Sequence, residues 1–138
     1  MAEGLAEKGK LITMDVNEEL ESFTRSFFDR SEFALKIDYR IADAQFEIEK
    51  IDGPIDLVFI DADKKSNGLY FDLLIDKIRP GGILIIDNVL WSGKVIEENA
   101  NDKSTKALRD FNQKCLEDSR VEKVMLPIRD GLLMLRKK

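Results

Sequence analysis

The chain has 138 residues, which suits one domain built around one core. Charged residues make up 36% and the formal net charge is -5, a balance that excludes a general nucleic-acid or membrane-surface binder. There is no histidine, so Ser-His-Asp and Cys-His catalysis and any histidine-ligated metal are excluded.

A general base must therefore be a carboxylate, a lysine or a tyrosine. The single cysteine, Cys115, allows no internal disulfide and fits a reducing compartment. No apolar run approaches the roughly 20 residues that span a bilayer. The polar stretch 1–10 lacks the apolar core of a signal peptide, so a cytoplasmic location is expected.

Short apolar runs alternate with amphipathic stretches. Residues 10–14 (KLITM) are expected to form a strand. Residues 16–28 follow with Val16, Leu20, Phe23 and Phe27 at helical spacing. IDYRI, 37–41, alternates as a strand does, and 44–51 has the pattern of a short, weak helix. IDLVFI, 55–60, is a nearly continuous apolar run, the pattern of a strand covered on both faces. A helix is expected over 69–78, stopped by Arg79-Pro80-Gly81-Gly82. Gly68 weakens its approach.

GILII, 82–86, is a second doubly covered strand, and 91–102 a long polar loop. Ala107, Leu108, Phe111 and Cys115 mark one face of a helix over 104–117. Strands at 121–126 and 132–136 close the chain, with Pro127 and Asp130-Gly131 supplying turn chemistry between them. Strands alternating with helices imply a mostly parallel sheet, and the short final connection implies an antiparallel C-terminal edge.

Each of the first four strands ends in an acid: Asp15, Asp43, then Asp61 with Asp63, then Asp87 with Asn88. Ligands of open α/β sheets sit outside the carboxyl ends of the strands. Two readings stay open for each acid. Asp15 can cap the following helix, with Glu18 completing a capping box. Asp43 can cap a short helix, and Asp61-Ala62-Asp63 can be a polar turn. The alternative is a shared ligand: Asp61, Asp87 and Asn88 offer hard oxygen donors, which suit magnesium, calcium or manganese and not zinc.

FIDADKK, followed by RPGGILIIDNVLWSGKV, resembles the metal-dependent class I O-methyltransferases of the caffeoyl-CoA and catechol type, the bacterial branch above all. The resemblance extends through KLITMD, IDYRIADA, TKALRDFN and DSRVEKVMLPIRDGLLMLRKK, in order along the chain. It implies S-adenosylmethionine as cofactor, with Asp15 at its ribose, Asp43 and Ala44 beside its adenine, and Asp63 near its amino-acid end. It implies a divalent cation held by Asp61, Asp87 and Asn88. Lys64 would be the general base, although a lysine after such a turn is commonly solvated. Trp91 and Ser92 would border a small aromatic hydroxyl acceptor, with a core anchor as the lesser alternative for Trp91.

The resemblance further implies a Rossmann-like methyltransferase sheet, here a single incomplete domain over 1–138 that lacks the first strand and the glycine-rich loop. The expected consequences are a gap between the strands at 10–14 and 55–60 and weak affinity for S-adenosylhomocysteine. A homodimer is also implied. A nucleotide-dependent Rossmann oxidoreductase would use Asp15 in the same way, and a non-catalytic methyltransferase remnant is the third reading.

Overall fold

The computed structural model describes residues 1–138, which form two compact units, Met1–Lys50 and Ile51–Lys138. In the first unit, β1 (Leu11–Asp15) and β2 (Ile37–Ile41) pair in parallel, from Leu11 opposite Ile37 to Asp15 opposite Ile41. Helix α1 (Glu21–Phe28) lies in the crossover between them. It starts later than the apolar spacing suggests. Asn17, not Asp15, caps the entry turn by accepting from the Glu19 amide at 3.0 Å.

The apolar face of the crossover is bare, with Phe23 63% and Phe27 54% exposed. Helical spacing reports a face but not whether anything covers it. What α1 does secure is Tyr39 of β2. Phe28 meets its ring edge-on at 5.4 Å, and the Arg25 guanidinium lies 5.3 Å from the ring centre. Arg25 Nη2 also donates to the Tyr39 carbonyl at 3.2 Å. After β2 comes the single-turn helix α2 (Ala44–Glu47), capped by Asp43.

The second unit is a four-stranded sheet in the order β3-β4-β6-β5. Strands β3 (Ile55–Ile60) and β4 (Ile78–Asp87) are parallel neighbours joined through α3 (Asn67–Ile75). Strands β5 (Val121–Leu126) and β6 (Leu132–Lys137) form the expected antiparallel edge, with β6 between β4 and β5. Helix α4 (Lys103–Glu117) precedes β5 and is capped by Asp102, whose Oδ1 accepts from Ser104 and Thr105. The core gathers Phe71 and Ile75 of α3, Leu84 and Ile86 of β4, Leu108 and Phe111 of α4, and Leu135 of β6, all at most 2% exposed.

Two expectations need correction. Arg79-Pro80-Gly81-Gly82 does not stop the chain between elements; it lies inside β4 as an irregularity, where the register jumps from Ile55–Ile78 to Leu57–Ile83. Gly81 takes φ +77, and a Cβ on Gly82 would come within 3.1 Å of the Asp56 carbonyl, so the glycines permit a bulge instead of ending a strand. The second correction concerns β3, which is not covered on both faces: Leu57 is 44% and Phe59 46% exposed. Of its six residues only Ile60 is buried, while Ile55 and Val58 are half-buried. β1 pairs with β2 alone and β3 with β4 alone.

Two predictions arise from this packing. Gly68 is the second residue of α3, and a methyl group added there meets nothing within 4 Å. Gly68→Ala is expected to stabilise the protein by about 0.5–1 kcal/mol in urea unfolding, because a helical glycine costs backbone entropy that alanine does not. Cys115 is 1% exposed on the inner face of α4, and burial pushes its thiol up to about 12. At pH 8 the thiolate is scarce, so an aromatic disulfide reagent should leave native Cys115 unmodified and label it only in denaturant.

Candidate active site

In the second unit, the parallel register of β3 and β4 fixes the geometry. Ile60 pairs with Ile86, and the residues immediately following are Asp61 and Asp87. Strand neighbours lie about 4.8 Å apart, so the two acids stand side by side at the carboxyl ends of adjacent strands. Asn88 follows directly. The Lys64 ammonium, on a side chain only 10% exposed, pairs with Asp61 Oδ1 at 3.2 Å. Asp87 Oδ1 accepts from the Asn88 amide at 2.7 Å. No group of three acidic or thiol side chains assembles. The set is two carboxylates and one carboxamide, all hard oxygen donors, and it fits magnesium, calcium or manganese in chemical type.

Asp63 caps the turn into α3, its Oδ1 accepting from the Lys65 and Ser66 amides at 3.2 Å each. Three residues beyond Lys64, Asn67 is fully buried, and neither end of its amide has a protein partner.

The chain after Asn88 is unusual. Asn88, Trp91 and Ser92 have φ of 61°, 51° and 53°, and Gly93 has 82°. Asparagine tolerates the left-handed region, but for a bulky residue such as Trp91 it is an outlier. Each such residue costs on the order of 1–3 kcal/mol and persists only where its surroundings hold it. Trp91 is half-buried and does not anchor the core. Ser92 is exposed, and its amide donates to the Asp130 carboxylate.

The remaining candidates belong to the first unit. Asp15 ends β1 and accepts from the Asn17 amide at 2.9 Å. Asp43 accepts from Gln45 at 2.8 Å, and Ala44 follows as the first residue of α2. Register puts Asp15 and Asp43 at the carboxyl ends of neighbouring parallel strands. The capping alternative is thus realised for Asp43 and the polar-turn alternative for Asp63. For Asp15 it takes the form of a local turn, and Glu18 completes no box. Nearby, the Arg40 guanidinium holds the Asp38 carboxyl below the usual range, and Lys50, with help from Arg40, does the same for Glu47.

Sequence reading missed Asn67, Asn112 and Asp130. Asp130 showed only as turn chemistry, and the two asparagines carried no signal of burial.

A sequence model of the family described as O-methyltransferase matches residues 1–138. Over 139 residues the chain is 35% identical to a probable caffeoyl-CoA O-methyltransferase 1 of Dictyostelium discoideum, covering 96% of this chain and 60% of that protein. Over 137 residues it is 31% identical to catechol O-methyltransferase domain-containing protein 1 of Mus musculus, covering 96% of this chain and 52% of that one. The O-methyltransferase of Bacillus cereus, solved in complex with SAH, superposes with a TM-score of 0.90 at 29% identity, over 99% of this chain and 66% of the other. The chain thus spans 60% or less of these two relatives and 66% of the solved protein. These likenesses favour the methyltransferase reading over the oxidoreductase one. With the family match running end to end, the chain belongs to the O-methyltransferase family and shares its Rossmann-like α/β fold.

Proposed function

We propose that the protein is an S-adenosylmethionine-dependent, divalent-cation-assisted O-methyltransferase acting on a small catechol-like or caffeoyl-type hydroxyl. The observation that carries this is the side-by-side position of Asp61 and Asp87 beyond the paired Ile60 and Ile86, with Asn88 adjoining. When bound, the sulfonium cofactor supplies an electrophilic methyl group and the cation a local positive charge that favours the ionised form of an adjacent hydroxyl.

The chain's own residues do the rest. Asp61, Asp87 and Asn88 hold the cation through oxygen. Lys64, placed beside Asp61 Oδ1 at 3.2 Å, would give up its own proton to solvent and, as the neutral amine, receive the hydroxyl proton. Trp91 and Ser92, three and four residues after Asn88, border the acceptor and align it. Asp15 accepts hydrogen bonds from ribose hydroxyls, Asp43 and Ala44 flank the adenine, and Asp63 lies toward the cofactor's amino-acid end. This assignment is supported by strand-end placement in each unit and by the likeness to caffeoyl-CoA and catechol-type relatives.

The test is methyl transfer from S-adenosylmethionine to a panel of caffeoyl and catechol acceptors, with and without a chelator. Transfer that stops on chelation and returns with magnesium supports the reading. Transfer indifferent to chelator removes the cation from it, and inertness toward every vicinal hydroxyl removes the acceptor class.

A further inference from the structure

The left-handed stretch after β4 does not hold itself. From Asn88 to Gly93, three non-glycine residues take positive φ, and one of them is a tryptophan. Such a backbone persists only where neighbouring groups over-determine it. Two elements distant in sequence do so. The first is the turn before β6. The Val89 amide donates to the Gly131 carbonyl at 3.2 Å and the Leu90 amide to the Asp130 carbonyl at 2.9 Å. The Asp130 carboxylate then reaches forward to accept from the Ser92 amide. Gly131 lies so close to Leu90 that a Cβ would be 2.5 Å from Leu90 Cγ.

The second element is α4. Asn112 Nδ2 donates to the Val89 carbonyl at 2.9 Å, the carbonyl directly after Asn88. The other end of that amide, Oδ1, is buried without a partner. A buried acceptor with no protein partner costs stability, so packing alone does not account for this side chain. Departures of this kind gather where a function depends on placement.

We propose that Asp130 and Asn112 are positioning residues for cation binding: together they fix the backbone on both sides of Val89 and Leu90, and so aim Asp87 and Asn88. The inference rests on the reading of Asp87 and Asn88 as cation ligands. Asp130 touches neither proposed ligand side chain and acts by bonding both ends of the Leu90–Ser92 turn. Asn112 acts by holding the Val89–Leu90 peptide, one residue beyond Asn88. Partners of this kind characteristically change metal affinity by 10–100-fold when removed.

The experiment titrates the 138-residue protein with manganese and follows free Mn2+ by electron paramagnetic resonance. It compares the unaltered protein with Asp87→Ala, Asp130→Ala, Asp130→Asn and Asn112→Ala, and circular dichroism melting reports folding. Asp130→Ala and Asn112→Ala are expected to bind manganese about tenfold more weakly at an undiminished folded fraction. Asp130→Asn should keep near-normal affinity, because its amide oxygen still accepts from Ser92.

If Asp87→Ala abolishes binding while Asp130→Ala and Asn112→Ala bind as the unaltered protein does, the positioning role is overturned and the cation site stands. Equal loss in Asp130→Asn and Asp130→Ala also overturns it, since the charge and not the hydrogen bond would then matter. If the unaltered protein takes up no manganese, or Asp87→Ala binds it undiminished, the cation reading falls and this inference with it. Should Asp130→Ala fail to fold, the Asn112→Ala result decides by itself.

Discussion

Asp87→Ala is expected to abolish divalent-cation binding and to cut magnesium-dependent methylation of a catechol by about a thousandfold or more. The magnitude follows from what a cation contributes. Charge stabilisation by a bound metal is worth several kcal/mol, and every 1.36 kcal/mol is a factor of ten in rate. Asp87 is half-buried at the end of β4 and beside Asp61, where two carboxylates at strand spacing repel unless a cation shares them.

In the protein, Asp61 already has a cationic neighbour in Lys64, at 3.2 Å, whereas Asp87 is engaged by the Asn88 amide at 2.7 Å. Alanine removes a ligand and also the acceptor that seats Asn88. Asp87→Asn retains an acceptor for that amide while losing the charge, so it separates the two effects. If Asp87→Asn recovers no cation binding, charge dominates; substantial recovery assigns the larger part to seating Asn88. Undiminished turnover by Asp87→Ala, measured alongside manganese titration, would take the cation site out of the account.

Much of this arrangement was legible in the sequence, for identifiable reasons. The strands over 37–41, 55–60 and 121–126 have the bounds their apolar patterns imply, because short apolar or alternating runs between polar breaks leave the backbone few alternatives. The neighbouring places of Asp61 and Asp87 followed from one helical crossover between parallel strands. What the pattern could not supply was coverage. Leu57, Phe59, Phe23 and Phe27 have the spacing of buried faces and yet are exposed, because spacing records which residues share a face and not what packs against it. Nor could it supply backbone sign. Nothing in Trp91 or Ser92 announces a positive φ, which is imposed by hydrogen bonds that this segment's amides donate to Asp130 and Gly131, nearly forty residues further on. The turn chemistry of Asp130-Gly131 was visible, but the segment it grips was not, since that contact exists only after β6 pairs with β4.

Gly131→Ala is where fold and site should fail together, with an expected loss of roughly 2–6 kcal/mol in urea or thermal unfolding. Two costs add. Gly131 has φ +84, a conformation that charges a side-chain-bearing residue on the order of 1–3 kcal/mol. The new methyl group would also lie 2.5 Å from Leu90 Cγ and 3.2 Å from the Leu90 amide nitrogen. Overpacking of this kind costs about 1–3 kcal/mol. Against a total stability of roughly 5–15 kcal/mol this is a large fraction.

The two costs can be separated. Leu90→Ala in the same chain removes the side-chain clash but not the backbone strain, so the double variant should recover part of the loss attributed to contact and none of that attributed to φ. Recovery of the whole loss would show that the backbone at residue 131 is relaxed, and no recovery would show that the contact is immaterial. In either variant the Val89 and Leu90 amides lose their fixed acceptors at Gly131 and Asp130 to the extent that the turn moves. Manganese affinity should therefore fall in proportion to that movement, even in the fraction of molecules that remains folded.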